Sequence, residues 1–351
     1  MRTLLKRPIV LLGIIAIIFV VVFIRFHSSP SLGENNKPIE IKWLLSHQPT
    51  SVFARASAVF ADELSKESGG QMKLSVVYPA DIGWEGTGDI PNDKVLDYLR
   101  SGEVQLATTY TVGLGKEAVA FWGLSLPYLF DSYSQAGTVL DGSAGQEILD
   151  SASAYTDTHA LAFTMSGGFR IIVSKNTAIK SAVDLKGLHI ATSGGPVAEA
   201  TLEALGAVPV PTDLESGDPE IDVGTIDGLE TTYSRLSEVV GKNTQYTKYI
   251  NETNHSLFLT VILASNTFYN SLSPQNQAAL KKAALAAART EREDSIALGG
   301  KTKSGLISGG SIVTIPNSDA RSAMQAQTES VYKKFESTFG SSLIASLRSA
   351  R

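Results

Sequence analysis

The sequence predicts an α/β protein of two lobes, each a mixed, mostly parallel sheet flanked by helices, with one long helix bridging them. Three observations carry this expectation. A strand, helix, strand rhythm runs from Phe169 to Val210, an alanine-rich helical stretch follows Ser273, and the 351 residues exceed what a single core usually serves. Strands joined by a helical crossover pair in parallel, and chains longer than about 250–300 residues divide their core.

At the N-terminus, Pro8 to Ile24 carries no charge and follows Arg2, Lys6 and Arg7, a membrane-targeting pattern with its positive charge left inside. Residues 1–27 are expected to be a signal anchor or a signal peptide. At about 1.5 Å per residue the run reaches roughly 25 Å, just short of a hydrocarbon core. Val20, Val22, Ile24 and Phe26 are bulky for a small-x-small cleavage site, which favours the anchor. The body then lies outside the cytoplasm, in the periplasm or on the outer face of the cytoplasmic membrane. Residues 28–38, mainly serine, proline, glycine and asparagine, read as a linker.

The body opens with a strand at Ile39 to Leu45 and a helix from Ser51 to Ser68 that places Phe53, Ala56, Val59, Phe60 and Leu64 on one face. Gly69 and Gly70 end that helix, and Met72 to Tyr78 returns as a strand. Further on, Phe169 to Ser174 has the apolar, β-branched look of a buried strand, with Arg170 as its one charge. Ser181 and Asp184 stand at capping-box spacing, and Gly187 suits a left-handed stop. Leu188 to Thr192 is a second strand, Ser193 to Pro196 a helix entrance, Gly206 the helix end, and Val208 to Val210 a third extended piece. Ser273-Pro274 caps a long helix expected to end at Leu298 before Gly299 and Gly300, and Tyr332 to Leu347 reads as one terminal helix. Lobe 1 is expected to comprise 39–166 plus about 257–297, and lobe 2 to comprise 167–256 plus about 298–351.

Composition narrows the function. Setting aside Arg2, Lys6, Arg7 and Arg25 leaves 26 basic against 35 acidic residues, and the chain has no cysteine. So acidic a body has no electrostatic footprint for nucleic acid, and thiol chemistry and disulfides are absent. No G-x-S-x-G elbow or H-E-x-x-H pair occurs, and the five histidines lack metal-ligand spacing. Gly299-Gly300-Lys301-Thr302 imitates the end of a phosphate loop, but position 295 is serine and a helix precedes it. The acidic stretch Asp213 to Glu230 lacks the order of a calcium loop and reads as a solvated face.

Gly168-Phe169-Arg170, Asp184-Leu185-Lys186-Gly187-Leu188, Leu205-Gly206-Ala207-Val208-Pro209-Val210 and Ile226-Asp227-Gly228-Leu229-Glu230 occur in fixed order. This series resembles the solute-binding proteins of TRAP transporters, the DctP-like family, of which the chain looks like a divergent member. Gly69-Gly70 with Pro79, Gly102 to Leu106 and Leu126 to Phe130 extend the resemblance over roughly Ile39 to Arg289. It implies a periplasmic-binding-protein-like fold that closes by hinge motion on a small, anionic solute and delivers it to TRAP-type permease subunits. The expected protein is a monomer and no enzyme, with no cofactor, held to the membrane by its N-terminal segment. The alternative is a membrane-tethered sensor input that uses the same fold for a signalling partner.

The resemblance also implies the site. Arg170 occupies the family's carboxylate-binding arginine position, where a planar guanidinium suits two oxygens; an internal ion pair is the rival reading. A second family arginine is replaced by Ala191, which leaves two readings: the ligand is no simple carboxylate or presents its acid group differently, or Gly194 and Gly195 at a helix entrance bind the anion through backbone N–H groups, with Thr192 as a further candidate beside them. Glu230 and Thr231 complete the second lobe's set; Thr231 stands where relatives carry asparagine or tryptophan, and Glu230 is a weak metal candidate. From the first lobe, His47, Gln48, Trp84, Glu85 and Tyr110 are candidates, with Trp122 as an aromatic alternative and His255 as a hinge or packing residue.

Overall fold

The computed structural model describes residues 37–86, 89–154, 156–212, 225–239 and 247–349. The targeting segment, nearly all of the linker and most of the acidic stretch from 213 lie outside them. Among the described residues no helix is long and apolar enough to cross a membrane.

Two sheets organise the body. The first contains β1 (Ile39–Leu45), β2 (Met72–Val77), β3 (Leu106–Tyr110), β4 (Thr158–Phe169) and β10 (Leu257–Ser265), in the order β2-β1-β3-β10-β4. The second contains β5 (Ile171–Ser174), β6 (His189–Thr192), β7 (Val208–Pro211), β8 (Gly228–Thr231), β9 (Tyr249–Asn251) and β11 (Ile312–Thr314), in the order β11-β9-β5-β8-β6-β7. The helices used below are α1 (Phe53–Glu67), α2 (Asn92–Ser101), α3 (Tyr133–Asp141), α4 (Ser143–Ser153), α5 (Gly195–Ala204), α6 (Tyr233–Val239), α7 (Pro274–Ser308), α8 (Ser318–Phe339) and α9 (Ser341–Ser349).

The expected crossover is present: β6 runs parallel to β7 across α5, and β6 runs parallel to β8. β1 is likewise parallel to both β2 and β3. The first strand of the series departs from expectation. Phe169 ends β4 and Ile171 begins β5, so the stretch breaks at Arg170, and β5 pairs antiparallel with β8 and β9. The chain therefore passes from one sheet to the other at Arg170. It returns between β9 and β10, and β10 pairs antiparallel with both β3 and β4.

Apolar faces fix this arrangement. Trp43, Phe53, Phe60 and Leu64 pack with Leu280, Ala283 and Ala287 between the first sheet and the helices α1 and α7. Ile172, Ile190, Leu202 and Met324 fill one side of the second sheet, and Val173, Ala191, Leu229, Leu236 and Leu306 the other.

Two helix limits differ from the sequence expectation. α7 does not stop at Gly299 and Gly300 but runs 35 residues to Ser308. A Cβ on Gly299 would lie 3.5 Å from that of Tyr233, an ordinary van der Waals contact, and one on Gly300 would meet nothing, so the helix passes through the glycine pair without either glycine being demanded by packing. The stop comes at Gly310, whose φ of 97° glycine tolerates. The expected single helix from Tyr332 to Leu347 is two: Asn317 caps α8 by accepting from Ala320 N, and Gly340, at φ 82°, separates it from α9. Leu343, Ile344 and Leu347 join Phe121 and Ile148 in one apolar cluster, whereas Met324 packs under the second sheet. The C-terminal segment thus serves both lobes, where residues 298–351 were expected in the second alone.

Candidate ligand cleft

Arg170 sits at the crossing between sheets, where its N–H donates to Ser256 O at 2.8 Å. Its side chain is only 3 % exposed, and Nη1 donates to Glu230 Oε2 at 3.2 Å. The guanidinium also lies 4.7 Å above the centre of the Phe258 ring. Nη2 is buried and has no hydrogen-bond partner among the described residues.

β8 delivers Glu230 into a nest of donors. Thr192 Oγ1 donates to Oε2, and His255 Nε2 lies 2.7 Å from Oε1. A carboxylate can only accept, so the imidazole carries a proton on that nitrogen; Thr253 Oγ1 is 2.8 Å from its other nitrogen. Burial alone would raise the Glu230 pKa, but Arg170, His255 and Thr192 together outweigh it and hold the group down at about 2. Glu230 is thus a buried anion engaged by protein donors, and His255 touches it directly. No group of three potential metal ligands occurs among the described residues, and the metal role weighed for Glu230 gains no support.

The glycines after β6 serve packing. A Cβ on Gly194 would collide with Ala198 and lie 3.1 Å from Glu230 Oε2. Its N–H is already given to Thr192 Oγ1 at 2.9 Å, which leaves one donor fewer for the expected anion cradle. Gly195 has a φ of 69°, and a Cβ there would meet Val112 of the first lobe at 3.1 Å. Ala191 is fully buried beside Leu229 and Leu236. The position that holds the second arginine in the resembled family therefore faces an apolar cluster.

Between the lobes lies a cavity of about 710 Å³, lined from the first lobe by Asp89, Asn92, Asp93, Tyr110, Lys116, Glu117 and Trp122, and from the second by Thr192, Ser193, Gly195, Glu199 and Thr212. Tyr110, Thr192 and Gly195 are brought together as expected. Arg170 stands one residue behind the wall, through Glu230 and Thr192. Thr231 pairs with Ile171 in the sheet and lines no part of this cavity.

Trp84 and Glu85 do not line it either. The Trp84 ring packs against the first lobe's apolar cluster and Glu85 is exposed. His47 is buried against Tyr110, with ring centres 4.7 Å apart, and neither ring nitrogen has a partner among the described residues. Burial, with Arg235 adding to it against Asp89, lowers its pKa to about 4. Gln48 is exposed, and its backbone N–H donates to Asp89 Oδ1 at 2.8 Å.

Two residues, Asp89 and Arg235, were missed by sequence reasoning. Tyr110 Oη donates to Asp89 Oδ2 at 2.6 Å, and Arg235 on α6 donates from Nη1 to Tyr110 Oη at 2.7 Å and to Asp89 Oδ2 at 2.9 Å. Arg235 lies four positions after Thr231, in the first turn of α6. That turn is the signal a sequence reading could have followed.

Comparison with known proteins agrees with this architecture. The family described as bacterial extracellular solute-binding protein, family 7 (DctP), matches residues 45–338. A solute-binding protein of Verminephrobacter eiseniae is 28% identical over 311 residues, covering 87% of this chain and 86% of its own. The C4-dicarboxylate-binding periplasmic protein DctP of Rhodobacter capsulatus is 28% identical over 258 residues, 73% of each chain. Among solved structures, the sugar acid binding protein DctPAm of Advenella mimigardefordensis, in complex with galactonate, superposes with a TM-score of 0.73 at 24% identity, covering 90% of this chain and 98% of its own. A TRAP periplasmic solute-binding protein of Shewanella oneidensis with bound succinate gives 0.72 at 21% identity, covering 90% and 99%.

Proposed function

Because the chain belongs to the bacterial extracellular solute-binding proteins of family 7, we propose that it captures a small solute bearing a carboxylate between its lobes and hands it to the permease subunits of a TRAP transporter. The observation that carries this reading is Arg170 Nη2, a buried charged donor with no acceptor among the described residues. Leaving such a donor unpaired costs about 1–3 kcal/mol or more. Nη2 stands behind the wall that Thr192 contributes to the cavity, so a solute oxygen meets it only where that wall gives way, and would then recover the cost and favour the lobe arrangement that permits the contact by differential affinity. Glu230 already neutralises part of the guanidinium, which suits one acid group rather than two.

The membership places the body outside the cytoplasm. We further read the uncharged run from Pro8 to Ile24 as its membrane tether and the working unit as a monomer. Capture needs no covalent step and no cofactor.

The test is thermal unfolding against organic acids, sugar acids, amino acids and neutral sugars. A ligand at about 100 times its dissociation constant adds roughly 2.7 kcal/mol. A shift produced by acids and lost in Arg170→Ala is the expected result. A shift with neutral sugars alone, or one that survives in Arg170→Ala, overturns the anchor role.

A further inference from the structure

We infer that Arg235 is a positioning residue for closure: it clasps the two lobes across the cleft by binding the protein's own Asp89 and Tyr110, so that part of the closing force comes from the protein instead of the solute. The inference rests on the hinge-closing reading above, but not on the identity of the solute.

The placement of the partners is the first argument. Arg235 belongs to the second lobe, because α6 follows β8 and its Leu236 packs with Ile171, Val173 and Ile250. Its partners belong to the first lobe: Tyr110 ends β3, and Asp89 lies beside the chain after β1, where Ile90 N donates to Ser46 O at 2.8 Å. Arg235 Nη1 also lies 3.3 Å from Gln48 O. Both charged side chains are nearly withdrawn from water, Arg235 at 12 % and Asp89 at 5 % exposure. An ion pair so shielded is screened far less than a surface pair, and it joins a side chain on α6 directly to two first-lobe residues.

Chemistry is the second argument. Tyr110 Oη donates to Asp89 and accepts from Arg235, so the three groups form a closed ring of charge-assisted bonds. Tyr110 and Asp89 line the cavity, which places the clasp in its wall. Ring contacts extend this clasp, with the Arg235 guanidinium 5.8 Å from the centre of the Tyr110 ring and Tyr110 tilted against Phe258 at 5.0 Å, which in turn lies under Arg170. The two arginines thus bracket one aromatic pair, one committed to Asp89 and one to Glu230.

The expected consequence is a protein that samples its closed state without solute, and whose affinity changes uniformly across solutes when the clasp is altered.

The test uses the full-length protein without any added solute. Because the chain has no cysteine, Lys73→Cys on the first lobe and Lys180→Cys on the second, both exposed, accept spin labels directly. Distances between them are measured by pulsed electron resonance in the parent, Arg235→Ala, Asp89→Asn, Tyr110→Phe and the Arg235→Ala/Asp89→Asn pair. The expected result is a closed-to-open ratio about tenfold lower in Arg235→Ala, with little further loss in the double variant because the two residues act as one unit. Tyr110→Phe, which removes a single hydroxyl, keeps the measurement available if a charge variant does not fold. Unchanged distance distributions in Arg235→Ala or Tyr110→Phe overturn the clasp, even where thermal stability falls, since a merely structural role lowers stability without moving the lobes. A protein that binds no acid yet loses its closed population in these variants would overturn the proposed solute and leave the clasp standing.

Discussion

Replacing Glu230 by alanine tests the centre of the cleft most severely. Its side chain is fully buried, one oxygen accepts from Arg170 and Thr192, and the other is 2.7 Å from His255. Removing it strands a guanidinium that is 3 % exposed and an imidazole that is buried as well. Breaking a buried pair by deleting one partner costs about 3–5 kcal/mol. For a folded body from Ile39 to Arg351, unfolding entropy at about 2.1 cal/mol/K per residue amounts to roughly 0.65 kcal/mol/K, so the midpoint should fall by about 5–8 °C. Glu230→Gln separates charge from shape. With the folded pKa at about 2 against 4.5 unfolded, the carboxylate contributes on the order of 3 kcal/mol above pH 4.5, and this is lost as pH falls from 4.5 towards 2. The glutamine variant should therefore be less stable at pH 7 and lose that limb of the pH profile. The assay is calorimetric unfolding between pH 2 and 8 for all three proteins. A folded Glu230→Ala protein within about 2 °C of the parent at pH 7 would refute the claim that this carboxylate balances Arg170.

Other consequences are equally direct. His47 has a folded pKa of about 4 against 6.5 unfolded, so it contributes a gain in stability as pH rises from 4 to 6.5, on the order of 3 kcal/mol; His47→Phe should remove that rise in urea titrations. Glu291, buried on α7 with Oε2 accepting from Met165 N at 2.7 Å, is pushed by burial up to about 8. Its contribution therefore falls as pH rises from 4.5 to 8, by at most about 5 kcal/mol, and Glu291→Gln, which keeps the acceptor, should flatten that decline. Ala191→Arg should not restore a carboxylate clamp, because a charge there enters the cluster of Val173, Leu229 and Leu236. A loss of about 3 kcal/mol or more is expected, and an Ala191→Arg protein that melts like the parent and binds succinate more tightly contradicts it.

Local chemistry in this chain is legible in the order of its residues, and contacts that close over long sequence distances are not. Ser181 and Asp184 form the capping box that their spacing announces, and the crossover from β6 through α5 to β7 follows from a strand pattern and a proline entrance. The internal ion pair weighed for Arg170 could be suspected from an isolated charge in an apolar strand. Its partner could not, because Glu230 lies 60 residues away on a strand that neighbours β5 only once the sheet is assembled. The break at Arg170 was hidden for a related reason: the stretch is apolar on both sides, and nothing local marks a change of sheet. Gly299 and Gly300 misled the helix limit because a glycine pair signals a stop by default, whereas here α7 runs on through both to Ser308. The Arg235 and Asp89 pair spans 146 residues and carries no motif at either end. What a sequence can reveal of such a pair is only that a short helix leaving the second sheet begins with a tyrosine and an arginine on its first turn. The geometry of two lobes meeting gives that arginine its partner, and the same meeting decides whether closure must wait for a solute.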